Sequence, residues 1–172
     1  METAGLSALL EAAATGRALV LVGLGGHGAA GKSTLARAVP GAQIVQTDAF
    51  WDGRGFDLAR LRREVLDPLT RGEPARYEAH DWVAGTSAGT RTVTPRGTVV
   101  VEGVCALHRD LRDAYQVRVW VEAPREARLA RAVARDGEGA REAWEQVWLP
   151  SEERYVARDD PRACAHLVID NS

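Results

Sequence analysis

The sequence predicts an α/β fold, three layers around a doubly wound five-stranded parallel sheet, and three observations carry that expectation. Short apolar runs that read as buried strands recur at residues 18–22, 42–46, 98–103, 117–121 and 166–169. Helical periodicity fills the stretches between most of them, which is the alternation that builds parallel sheets. Directly after the first run, Gly26-His27-Gly28-Ala29-Ala30-Gly31-Lys32-Ser33-Thr34 fits the phosphate-binding loop pattern G-x-x-x-x-G-K-[ST].

The loop is the element the rest of the chain serves, in a glycine-rich stretch that starts at Gly23. Glycines let the backbone wrap an anion with its N–H groups pointing inward, and the residues that follow, 33–39, read as the helix leaving the loop. Lys32 can reach outer phosphates, and the Ser33 hydroxyl suits a bound Mg²⁺. Lys32 is the only lysine among 22 basic residues, so a chain that uses arginine everywhere else keeps a compact ammonium here.

Composition bounds the partners. The 172 residues fit a single domain with one core, and 45% hydrophobic with 27% charged residues is the balance of a soluble globular protein. A net charge of −2 gives no global basic field, so neither nucleic acid nor a membrane surface is expected and any anion site must be local. Cys105 and Cys164 make no disulfide framework and read as reduced, buried thiols. No basic-then-apolar leader and no run of membrane-spanning length is visible, so a cytoplasmic location is expected. Oligomeric state leaves no mark in the sequence.

In chain order, Leu6, Leu9, Leu10 and Ala13 predict an amphipathic helix ended by Gly16 and packed on the sheet edge. The 42–46 strand ends at Thr47-Asp48, and ligands of open α/β sheets gather at such carboxyl ends, so Asp48 is a candidate catalytic acid-base group. Arg54 lies in the loop that follows and is a candidate substrate contact. Residues 57–70 predict a helix with Leu58, Leu61, Val65 and Leu69 inward and a solvated arginine face. Residues 71–97 form a longer excursion than a connection needs, with two short strands, and Tyr77, His80, Asp81 and Trp82 offer stacking and hydrogen-bonding groups for a ring-bearing substrate. The 98–103 strand carries Glu102 at its carboxyl end, placed to orient Mg²⁺-bound water near Ser33. After the fourth strand, Arg128, Arg131 and Arg135 fall at i, i+3 and i+7, one helix face suited to a lid that stabilises charge on a transferring phosphoryl group. Residues 142–155 resume helix with an interruption at Pro150.

With these residues in view, the chain resembles the uridine kinase and phosphoribulokinase-like branch of P-loop kinases over about 19–171. The resemblance rests on the phosphate loop, Thr47-Asp48-Ala49-Phe50, the stretch from Tyr77 to Trp82, Val99-Val100-Val101-Glu102-Gly103, the arginine run from Arg128 to Arg135, and the tail from Ala165 to Asn171. It implies a P-loop NTPase fold of nucleoside-kinase type, one kinase domain with a lid at about 125–155 and a substrate-side excursion at about 71–97. It implies ATP and Mg²⁺, and transfer of the γ-phosphoryl group to a small-molecule hydroxyl. Lys32, Asp48, Arg128 and Arg131 would be catalytic, Asp48 as general base, with Arg128 and Arg135 touching ATP alongside residues 26–34. Ser33, Asp48 and Glu102 would surround the metal; Asp48, Arg54, Tyr77, His80, Asp81, Trp82 and Glu102 would meet the acceptor. A nucleoside such as uridine or cytidine is the first acceptor expected. Another metabolite alcohol, a sugar, a vitamin precursor or an antibiotic-like compound, would leave the same phosphate machinery, as would an ATPase or switch that needs no acceptor.

Overall fold

In the computed structural model of the chain, which describes residues 4–81 and 84–172, β1 (Leu19–Gly26) runs through the middle of a five-stranded sheet. The spatial order is β2 (Gln43–Gln46), β5 (Gly97–Glu102), β1, β6 (Val117–Glu122), β7 (Leu167–Asp170), and all four pairings are parallel. Strands covered on both faces need apolar side chains at nearly every position, and Val20, Leu21, Val22, Val99, Val100 and Val101 are each at most 2% exposed. Each such side chain contributes roughly 1.5–3 kcal/mol relative to exposure.

One face of the sheet is covered by α1 (Ala4–Ala14) and α2 (Lys32–Ala38), whose Leu6, Leu35 and Ala36 join Val20, Val22, Val117, Val119 and Ile169 in one cluster. Residue Leu6 therefore packs on the face over β1 and β6, not at the sheet edge its amphipathic pattern suggested. The opposite face carries the 58–70 helix and the turns around Leu107, Leu111 and Tyr115. That helix takes a wide π turn over Arg62–Leu66, so Val65 and Leu66 are both buried beside Leu61 and Leu69.

The arginine face of the same helix is not simply solvated. Arg60 donates to the carbonyls of Ala49 and Glu78 and sits 4.8 Å over the Phe50 ring, tying the helix to the turn after β2. Arg62 grips Asp113 through two hydrogen bonds of 2.7 and 2.8 Å.

The excursion is an antiparallel hairpin of β3 (Ala75–Asp81) and β4 (Thr86–Val93), outside the main sheet. Trp82 lies outside the described residues. The Arg125–Asp136 helix ends at Gly137, and a further helical stretch runs over 141–159. Pro150 does not interrupt it. A π turn at Trp144–Trp148 precedes the proline, which then occupies the first turn of Leu149–Asp159, where its missing N–H does least harm.

Candidate functional site

Sheet order brings three chain segments to one place. β2, β5 and β1 lie side by side, and their carboxyl ends deliver the Asp48 turn, Glu102 and the phosphate loop in that sequence across the sheet. Gly103 permits the convergence, since a Cβ there would lie 1.8 Å from the Thr47 hydroxyl. The result is a cavity of about 680 Å³ walled by Gly28, Lys32, Ser33, Asp48, Glu102 and Arg135, among others.

The strand reaches further than its apolar run. β1 continues to Gly26, so Gly23 and Gly25 belong to the sheet, where Tyr115, Leu107 and Trp120 pack against them too closely for any side chain. The loop proper is therefore 27–31. Its backbone turns through positive φ at Ala29 (56°) and Gly31 (102°) before α2 begins. The first amides of that helix have no preceding turn to bond, so they remain donors toward the cavity. Two loop amides are already engaged: Gly28 N–H donates to Glu152 Oε2 at 3.0 Å, and Ala30 N–H donates to the His27 carbonyl at 3.2 Å.

Side-chain electrostatics follow from burial. Lys32 is 7% exposed, with Nζ donating to the His27 carbonyl at 2.7 Å; desolvation holds its pKa below the usual lysine value, against the pull of Glu102, Glu152 and Asp48. Asp48 is shifted the other way. Burial raises its carboxyl, the charge of Glu102 adds to that, and Lys32 opposes it. Ser33 Oγ donates to Glu102 Oε1 at 2.8 Å, and Gln46 Nε2 reaches the same oxygen at 3.1 Å.

Serine hydroxyl and two carboxylates form an oxygen-only donor set, the kind a hard divalent cation takes. Asp48 destabilised by its acidic neighbour is what such a cation would relieve, so these residues fit Mg²⁺.

The arginine face divides. Arg131 and Arg135 line the cavity; Arg128 does not. It is 5% exposed, with Nε donating to the Ala123 carbonyl at 3.1 Å and a terminal nitrogen 3.5 Å from Glu152 Oε2. Arg128 and Arg135 share a face but stand two turns apart, about 10 Å along the axis, which puts one beneath the loop and the other over the cavity. His27 likewise turns its ring away, edge-on to Trp120 at 5.6 Å, and Gly26 and Ala30 lie behind the wall.

Most of the acceptor residues expected from sequence lie elsewhere. Tyr77 is 7% exposed and stacks on Phe50 at 4.9 Å within the main core. Arg54 is exposed in a turn whose amides bond Asp52, and neither it nor His80 or Asp81 reaches the cavity wall. Instead Phe56, Trp144 and Trp148 line the cavity, with Trp51 edge-on to Phe56 at 5.4 Å and to Trp148 at 6.4 Å. The sequence held a sign of this: Trp144, Trp148 and Glu152 fall at i, i+4 and i+8 on one helix face.

No family model matches the chain. It is 34% identical to the uridine kinase of Staphylococcus carnosus (strain TM300) over 83 residues, 47% of this chain and 39% of that protein. Over 145 residues, 75% of this chain, it is 29% identical to the inorganic pyrophosphatase TTM1 of Arabidopsis thaliana, covering 23% of that protein. The chain thus spans less than half the length of these curated relatives. Among solved structures, a proposed fructose transport system kinase from Silicibacter sp. TM1040 superposes with a TM-score of 0.69 at 25% identity, covering 98% of both chains. A proposed uridine kinase from Bacillus stearothermophilus gives a TM-score of 0.69 at 15% identity, covering 96% of this chain and 100% of that one. The chain is thus similar over part of its sequence to a uridine kinase, and over nearly all of its length to the folds of these two structures. Its fold is that of the P-loop kinases, and among the described residues no helix is long and apolar enough to cross a membrane.

Proposed function

We propose that the chain is a single kinase domain that transfers the γ-phosphoryl group of ATP to the hydroxyl of a small molecule, a nucleoside such as uridine or cytidine in the first instance. The observation that carries the reading is the meeting of Asp48, Glu102, Ser33 and Lys32 on one cavity wall at adjoining strand ends. A base for an alcohol, an oxygen donor set for a divalent cation and a cation for the outer phosphates are the parts phosphoryl transfer needs.

In this reading the amides of 29 and 31–34 hold the phosphates, and Lys32 exchanges its bond to the His27 carbonyl for phosphate oxygens. Ser33, Asp48 and Glu102 hold Mg²⁺, which supplies charge neutralisation at the phosphates when bound. Asp48 accepts the proton of the acceptor hydroxyl. Arg131 and Arg135, on the 125–155 lid, face the charge that develops on the moving group. The aromatic wall of Phe56, Trp144 and Trp148 gives the acceptor a flat apolar surface, which favours a ring-bearing alcohol.

The test is ADP release from ATP·Mg with uridine, cytidine, other nucleosides, sugars and small alcohols supplied one at a time. Release that depends on a hydroxyl compound, with its phosphate ester recovered, supports the reading. Acceptor-independent release sinks it and favours anhydride hydrolysis, the activity named for the pyrophosphatase relatives.

A further inference from the structure

Glu152 belongs to the 141–159 helix, 124 residues from the loop it touches, and is 6% exposed. A single oxygen, Oε2, takes the Gly28 N–H at 3.0 Å and has Arg128 and His27 Nδ1 each at 3.5 Å. Burying a carboxylate is costly unless it is paired and hydrogen-bonded, and here a guanidinium and a main-chain amide do both. Arg128 is held in turn by the Ala123 carbonyl. The approach depends on the missing side chain of Gly28, because a Cβ there would stand 2.5 Å from Glu152 Oε1 and 2.7 Å from the Trp144 ring.

We infer that Arg128 and Glu152 are positioning residues: Arg128 fixes Glu152, and Glu152 fixes the Gly28 amide, so that the lid helix and the phosphate loop are held as one body with the loop backbone already shaped for a triphosphate. This rests on the kinase reading above for its ligand, and it replaces the direct ATP contact expected of Arg128.

The opposite arrangement, a carboxylate sitting where a phosphate must go, is disfavoured by where the contact lies. Glu152 and Gly28 line the large cavity, whereas Arg128 and His27 line a separate one on the other side of the loop. The carboxylate sits in the partition between the two, neutralised from behind. Glycine-rich loops have many conformations to lose, so a tether at their second residue lowers the cost of binding. The bond from Lys32 to the His27 carbonyl tethers the loop from within, and Glu152 does so from outside.

The experiment compares wild type with Glu152→Ala, Glu152→Gln, Arg128→Met and the Arg128→Met/Glu152→Ala double variant. Amide hydrogen exchange is followed without nucleotide, and equilibrium binding is measured with ATP·Mg. Glu152→Gln keeps an acceptor oxygen and guards against a variant that merely fails to fold. Expected are faster exchange across 27–31 and about tenfold weaker ATP·Mg binding in Glu152→Ala, with Glu152→Gln near wild type, in line with the sensitivity of such sites to small displacements. The double variant should bind no more weakly than Glu152→Ala, because both act through one contact. Unchanged loop exchange, unchanged or tighter ATP·Mg binding in Glu152→Ala, or additive losses in the double variant overturn the inference. A wild-type protein that binds no ATP·Mg instead sinks the kinase reading, and the exchange result then decides the tether on its own.

Discussion

Ser33 Oγ and Glu102 Oε1 stand 2.8 Å apart, joining the first turn of α2 to the end of β5 across 69 residues of sequence. Glutamine at 102 would still offer Ser33 an acceptor oxygen while removing the charge. Glu102→Gln should therefore fold normally and retain turnover only at raised Mg²⁺, with the midpoint of an Mg²⁺ titration moved upward. An unchanged midpoint would place the cation elsewhere.

Asp48 supplies a prediction whose two halves have opposite sign. Burial and the charge of Glu102 raise its carboxyl above the ordinary range, so in the native state the ionised form is disfavoured relative to the unfolded chain. Stability tied to this group is fully present below the unfolded pKa and declines as pH rises through the window up to the raised native value. At neutral pH Asp48→Asn should raise the Tm of the nucleotide-free protein while lowering transfer by about 10²–10⁴, the usual range for a lost general base. A pH titration of the wild-type protein without nucleotide or Mg²⁺ should show Asp48 taking up its proton above the range of an ordinary aspartate. Undiminished transfer by the asparagine variant would remove Asp48 from the chemistry.

The parts of this site legible in sequence are those fixed by local pattern and strand order. The loop pattern, a carboxylate after the second strand and another ending the valine strand need only a parallel sheet to bring them together, and β2, β5 and β1 are neighbours. The arginine periodicity put three side chains on one face but was silent on depth, because 3.6 residues per turn says nothing about which end of a helix is buried; Arg128 is 5% exposed and Arg135 reaches the cavity. The aromatic wall was hidden for a different reason. Phe56 and Trp148 meet only after the chain has folded, and tryptophans at i, i+4 look the same whether they face a core or a ligand.

That wall makes its own prediction. Trp148→Ala and Phe56→Ala remove flat surface beside the cavity without touching the phosphate loop. Each should raise KM for the acceptor identified in the ADP-release screen by about 5–30-fold, the equivalent of one lost aromatic contact of roughly 1–2 kcal/mol. KM for ATP should stay within about twofold. Equal increases in both constants would mean that the aromatics hold the lid shut and do not meet the acceptor.

Tyr77 separates the hairpin's structural contribution from the catalytic one expected of it. Its ring stacks on Phe50 at 4.9 Å, Phe50 follows Asp48 by two residues in the same short turn, and Arg60 covers the other partner of that stack. Burial raises the phenol's pKa, so it stays neutral and contributes packing at physiological pH. Tyr77→Phe should leave the kinetic constants for ATP and acceptor unchanged, since it preserves the ring. Tyr77→Ala should cost about 3–5 kcal/mol of stability, the range for emptying an aromatic site in a core. Denaturant unfolding checks the second, and steady-state kinetics the first. A selective rise in acceptor KM for Tyr77→Phe, with stability intact, would return the phenol to the acceptor site and show that the hairpin moves inward when the acceptor binds.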